Sequence, residues 1–231
     1  MLSIKGLNQS YGGSHTLWDI DLDVQAGMRM CLMGRNGMGK TTLLKCVMGL
    51  IPVASGQVSF TGTDLRVVPA EARARLGIGY VPQGREIFPQ LTVKENLEVG
   101  LAARGDGRRT IPTQVFDLFP VLKQMLGRRG GDLSGGQQQQ LAIGRALVLE
   151  PKLLILDEPT EGIQPNIVHE IGDILIKLNH EAKVTLVLVE QKLLFARRVA
   201  SDFCILDKGR HVAGGTIDEL SDDDVVRHLS V

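Results

Sequence analysis

Met28-Arg29-Met30-Cys31-Leu32-Met33-Gly34-Arg35-Asn36-Gly37-Met38-Gly39-Lys40-Thr41-Thr42 decides the fold class of this 231-residue chain. Residues 28–33 read as an apolar strand, and residues 40–48 continue as a helix. Between them Gly34 to Thr41 fits G-x-x-x-x-G-K-[ST], and the strand-loop-helix context separates this match from an ordinary glycine turn beside a surface lysine. The glycines let the backbone curl so that successive N–H groups point inward at an anion. The helix N-terminus adds its dipole and free donors. Lys40 supplies a point charge for the β- and γ-phosphates, and Thr41 a hydroxyl for Mg²⁺. By itself this loop says nucleoside triphosphate and names no family.

Outward from the loop, short strand-type runs alternate with helix-type runs, which predicts an α/β fold with a mostly parallel sheet. Residues 3–7 and 17–24 read as early strands, and residues 77–81 as another. Residues 153–156, 184–189 and 203–206 are later strands, with helices predicted over 167–178 and 193–200. The middle section, about 88–150, differs. It has a T-x-x-E capping box at Thr92 to Glu95, helical spacing at Val115, Leu118 and Phe119, and a Gly/Arg-rich connector over 127–131. It reads as a helical insert. The tail carries a second capping box, Thr216 to Glu219, and an acidic turn at 222–224.

Leu153-Leu154-Ile155-Leu156-Asp157-Glu158 is an apolar strand that ends in two acids. At the carboxyl end of a strand in an open α/β sheet, such side chains reach the ligand crevice. Asp157 is suited to hold Mg²⁺, and Glu158 to orient and deprotonate an attacking water. Adjacent strand residues face opposite ways, so the turn at Pro159 is expected to bring Glu158 round.

Leu133-Ser134-Gly135-Gly136-Gln137 opens a helical run to about residue 149. S-x-x-Q is a capping box, yet two glycines in a first turn each cost roughly 0.5–1 kcal/mol relative to alanine. Backbone that must approach a phosphate closely accounts for them. LSGGQ between the phosphate loop and the acid-ended strand resembles the signature of ABC ATPases, and the motif order matches over essentially the whole chain.

That resemblance implies an ABC cassette of the P-loop NTPase fold. Its ATP-binding core would span 1–87 and 151–231, with an N-terminal antiparallel β subdomain and a helical subdomain over 88–150, all within one domain, 1–231. It implies ATP and Mg²⁺ as cofactors. Gly34, Arg35, Asn36, Gly37, Met38, Gly39, Lys40, Thr41 and Thr42 would hold the phosphates, and Tyr11 would stack on adenine. Gln83 would reach Mg²⁺ and the attacking water, making Thr41, Gln83 and Asp157 the metal set. Two cassettes would pair head to tail, so that Ser134, Gly135, Gly136 and Gln137 of one cap the ATP on Lys40 of the other. Residues 84–97 would form part of a partner-facing surface.

Two positions depart from the superfamily pattern. Gln191 stands where a histidine is usual, and no histidine lies between His180 and His211. Gln164 replaces a usual aspartate. A glutamine amide can donate to a γ-phosphate oxygen but cannot carry a proton's charge. Gln191 is therefore expected to sense the γ-phosphate while catalysis rests on Glu158. VEQ at 189–191, GREIFP after Gln83 and EPTEGIQP after the acid pair resemble the ATP-binding subunits of branched-chain amino acid and amide importers; among these, RRGGDLSGGQQQQ, TEGIQP and VEQKLLFAR look most like the urea-type subunit.

This narrower resemblance implies a sister ATPase subunit as partner, with a homodimer as the alternative. It also implies two membrane permease subunits, an indirect link to a periplasmic solute-binding protein, and a peripheral place on the cytoplasmic face of the cell membrane. A soluble assembly or scaffold ATPase is the competing class. Equal numbers of basic and acidic residues, 26 each, give no global basic field for nucleic acid. Cys31, Cys46 and Cys204 lack metal-ligand spacing and read as reduced core residues. The opening MLSIKGLNQS has no signal-peptide pattern, and no run reaches the ~20 apolar residues of a membrane span.

Overall fold

Two sheets organise the chain: the mostly parallel one that the alternation of strands and helices predicts, and the smaller antiparallel one that the family resemblance implies. The computed structural model describes residues 1–229, so the expected domain end at 231 lies outside the described residues. In chain order the strands are β1 (Leu2–Tyr11), β2 (Ser14–Val24), β3 (Arg29–Met33), β4 (Ser55–Phe60), β5 (Thr63–Asp64), β6 (Ile78–Val81), β7 (Leu153–Asp157), β8 (Thr185–Val189), β9 (Asp202–Asp207) and β10 (Arg210–Thr216). The helices are α1 (Lys40–Met48), α2 (Ala70–Arg73), α3 (Val93–Arg104), α4 (Thr113–Leu118), α5 (Pro120–Gln124), α6 (Gly135–Leu147), α7 (Pro165–Ala182), α8 (Leu193–Val199) and α9 (Asp222–Asp224).

The smaller sheet is antiparallel in the order β2-β1-β4-β5, and the larger runs β10-β9-β3-β8-β7-β6. In the larger sheet only β10 runs antiparallel to its neighbour. Its inner strands are covered on both sides, which is why they read as continuous apolar runs. Alternate residues serve two cores. Leu154, Leu156, Leu186 and Leu188 pack with α3 to α8, whereas Leu153, Ile155, Val187 and Val189 pack with α1 and the small sheet. A one-residue slip of β7 would exchange the two sets.

The predicted caps form where they were read. Thr92 Oγ1 accepts from Glu95 N at 3.2 Å and Thr92 N donates to Glu95 Oε2 at 2.7 Å, starting α3. The Thr216–Glu219 box forms too, but it caps only a 3₁₀ turn. Residues 222–224, expected as a turn, form the short helix α9, because Ser221 caps the Asp224 N–H and acids suit a helix start.

Strands β4, β5 and β10 escaped the sequence reading. They are polar or glycine-bearing and largely face solvent on at least one side, so hydrophobic pattern does not mark them. Cys31, Cys46 and Cys204 are buried and free, and burial pushes the Cys46 and Cys204 thiols up to about 12. Among the described residues no helix is long and apolar enough to cross a membrane.

Candidate nucleotide site

The phosphate loop leaves β3 and turns into α1 between two close approaches. A Cβ on Gly34, at φ +139°, would lie 2.2 Å from the Leu206 carbonyl oxygen of β9. One on Gly39, at φ +102°, would lie 2.6 Å from Leu17 Cδ2. Both positions favour glycine for conformation, and at Gly34 the fixed backbone carbonyl also leaves no room for a Cβ. The loop is also held from outside, since Gly209 N donates to Met38 O at 3.2 Å and Lys208 N to Met38 Sδ at 3.1 Å. Lys40 opens α1 and is buried. Its Nζ donates to Gly34 O at 2.7 Å and Arg35 O at 2.8 Å, bracing the loop from within. Burial lowers its pKa, against the opposing pull of Glu158 and Asp157.

Asp157 ends β7 directly beneath the start of α1. Its Oδ1 accepts from Thr41 Oγ1 at 3.3 Å, while its buried Oδ2 has no hydrogen-bond partner among the described residues. Burial pushes this carboxyl up from its ordinary 3.8 to about 6, partly offset by the Thr41 bond. An orphaned carboxylate oxygen beside a threonine hydroxyl fits a hard divalent cation, which takes oxygen ligands.

The raised pKa also has a sign for stability. Between 3.8 and about 6 the folded chain holds the proton more tightly than the unfolded one, so stability falls as pH rises through this window and stays lower above it. Asp157→Asn removes that buried charge. At pH 8 it is expected to stabilise the nucleotide-free chain by about 1–2 kcal/mol, with the gain shrinking as pH falls through 6. Thermal unfolding of both proteins across pH checks this.

Glu158 does turn toward the same space, but the device is its own backbone. It adopts φ +50°, and its N–H donates to Val189 O at 3.0 Å. Proline at 159 follows this left-handed residue; the bend itself lies one position earlier than the sequence reading placed it. Two glutamine amides then meet the Glu158 carboxylate. Gln191 Nε2 donates to Oε1 at 2.5 Å and Gln83 Nε2 to Oε2 at 3.2 Å. Gln191 also donates to Asn36 Oδ1 at 2.7 Å, and Gln83 to Glu161 Oε2 at 3.1 Å.

These groups surround a cavity of about 570 Å³, in the range of small-molecule sites. Of the predicted residues, Asn36, Gly37, Gly39, Lys40, Thr41, Thr42, Gln83, Glu158 and Gln191 line it. Gly34, Arg35 and Met38 shape the loop from behind, and Asp157 lies buried below. Tyr11 is apart from the lining, at the tip of the β1–β2 hairpin and 48% exposed. Thr160, Glu161, Glu190 and Lys192, for which the motifs predict no role, also line the cavity. Their adjacency to Glu158 and Gln191 in sequence was the available signal.

Ser134 to Gln137 lie outside this cavity. The expected capping box is present, with Ser134 N donating to Gln137 Oε1 at 3.0 Å and Gln137 N to Ser134 Oγ at 3.3 Å. Both glycines also lie close to neighbouring side chains of their own chain. A Cβ on Gly136 would sit 3.1 Å from Ile167 of α7, and one on Gly135 3.3 Å from the Arg85 guanidinium.

This arrangement defines an ABC-type nucleotide-binding cassette. The chain belongs to the ABC transporter family, whose model matches residues 17–161, and it is an ATPase whose hydrolysis is coupled to transport. It is 41% identical over 217 residues to the high-affinity branched-chain amino acid transport ATP-binding protein BraG of Pseudomonas aeruginosa, covering 94% of this chain and 93% of that one. It is 38% identical to the probable branched-chain amino acid transport ATP-binding protein LivF of Archaeoglobus fulgidus, covering 95% and 94%. Its structure resembles a dimeric ATP-binding cassette in a post-hydrolysis state with ADP and Pi, at TM-score 0.84 and 25% identity, covering 94% of this chain and 99% of that one.

Proposed function

We propose that this chain is the ATP-hydrolysing motor of an importer for a small polar solute, working through separate permease subunits. The observation that carries the reading is the Glu158 carboxylate held between Gln83 and Gln191 at the mouth of the phosphate loop. In that position Glu158 is placed to take the proton of an attacking water, with Gln191 and Gln83 orienting it. Lys40 and the loop N–H groups bind the β- and γ-phosphates, and Tyr11 stacks on the base. Thr41, Asp157 and Gln83 would hold Mg²⁺, which when bound neutralises phosphate charge.

The Ser134–Gln137 turn has no place in its own chain's cavity, which supports its use on the ATP of a second cassette. A glycine-bearing helix N-terminus is an anion site of the right chemistry. That second cassette is a sister subunit, or a second copy. Residues 88–150 act as the helical subdomain, and 84–97 as part of the surface that meets the permeases on the cytoplasmic face of the membrane. A periplasmic binding protein delivers the solute to the permeases.

The solute is an amide or amino acid. Relatives named for branched-chain amino acid transport support the amino acid, and RRGGDLSGGQQQQ, TEGIQP and VEQKLLFAR support urea. Uptake of labelled urea and labelled leucine, in cells lacking this chain and in complemented cells, tests the reading. Loss of one solute's ATP-dependent uptake is expected on deletion. Unchanged uptake of every small polar solute tried, with assembly of another complex impaired instead, would favour the scaffold class.

A further inference from the structure

Glu190 stands one residue past β8, where its N–H donates to Leu32 O of β3 at 3.3 Å. Its side chain is almost wholly buried, at 2% exposure, beside Thr160 at 1%. One carboxylate oxygen accepts from Thr160 Oγ1 at 2.6 Å and from Thr160 N at 3.3 Å. The other accepts the backbone N–H groups of Gln191 at 3.1 Å and Lys192 at 3.2 Å. Lys192 Nζ returns to Thr160 O at 2.8 Å, closing the ring.

Thr160 lies two residues after Glu158, and Gln191 directly follows Glu190. One buried carboxylate therefore ties together the two loops that carry the opposed Glu158 and Gln191 side chains. We propose that Glu190 is a positioning residue for ATP hydrolysis, fixing the Glu158 loop against the Gln191 loop. The inference rests on the reading of Glu158 as the group that activates water.

Only a carboxylate offers acceptors on both atoms. In Glu190→Gln one set of donors, either those of Thr160 or the two backbone N–H groups, faces an NH₂. Thr160→Val keeps the shape but removes the short hydroxyl bond, and Thr160→Ser keeps that bond.

The test is steady-state MgATP turnover of the purified full chain carrying each substitution. Glu190→Gln and Thr160→Val are expected to lower kcat about tenfold, with KM changed less than about threefold and Thr160→Ser close to wild type. On a Gln191→Ala background, Glu190→Gln should cost less than it does in the wild-type chain, because part of its effect is exerted through Gln191. A kcat for Glu190→Gln within about twofold of wild type, or losses that multiply in full with Gln191→Ala, would overturn the proposal. If Glu190→Gln does not fold, the Thr160 pair decides, and equal kcat for the valine and serine variants overturns it. Glu158→Gln is measured alongside. Near-normal turnover there sinks the underlying reading instead.

Discussion

Glu158→Gln is expected to lower ATP turnover by about 10²–10⁴-fold, the usual contribution of a general base, while leaving ATP binding intact. The carboxylate is half-buried, turned into the cavity by a left-handed backbone, and met by two amide N–H groups. An amide in its place keeps the size and one acceptor but cannot take a proton from water. Binding should be spared because Lys40 and the loop backbone, the groups proposed to face the phosphates, are untouched. Cassette dimers should therefore accumulate with ATP uncleaved, visible by size-exclusion chromatography with bound-nucleotide analysis.

Gln191→Ala separates the roles further. It removes the 2.5 Å contact to Glu158 and the 2.7 Å contact to Asn36 without removing the carboxylate proposed as the base. A loss of only about three- to tenfold is expected, the size of a lost hydrogen bond. A larger loss from Gln191→Ala than from Glu158→Gln would reverse the assignment. No measurable loss would leave Gln191 without a part in catalysis.

Gly34→Ala is the second large effect. The added methyl would sit 2.2 Å from the Leu206 carbonyl oxygen, which belongs to sheet backbone and cannot rotate away. The residue's φ of +139° is also one that L side chains rarely adopt. A destabilisation of about 3 kcal/mol or more is expected, with loss of ATP binding, because relieving the clash moves the loop off β9. Gly37→Ala is the control. Its φ is +78°, yet a Cβ there meets nothing within 4 Å, so only the backbone term of about 1–2 kcal/mol applies. Urea unfolding and binding of a fluorescent ATP analogue compare the pair. Equal stability and affinity in the two variants would show that β9 does not constrain the loop.

Much of the fold was legible because the buried strands and the glycine loop answer to local rules. Residues 28–48 contain a strand, a turn that needs glycine and a helix start, and each is specified by its own residues. The edge strands β5 and β10, and the mostly polar β4 beside β5, were not legible, since they are held by their neighbours' hydrogen bonds rather than marked by an apolar pattern of their own. Thr160 and Glu190 were missed for a related reason. A threonine and a glutamate 30 residues apart carry no mark of their mutual burial.

The phosphate loop, by itself, determined that the chain binds a nucleoside triphosphate, and LSGGQ with the acid-ended strand determined which kind of ATPase it resembles. Those motifs are short, and their chemistry is local to a few consecutive residues. Only the tertiary structure decided why Gly34 must be glycine, how Glu158 leaves the line of its strand, and which groups hold it. Each of those answers depends on atoms from a distant strand or loop: Leu206 beside Gly34, Val189 beneath Glu158, and Gln83 and Gln191 on either side of the carboxylate. Sequence order does not encode such distances until β3, β7, β8 and β9 are packed into one sheet.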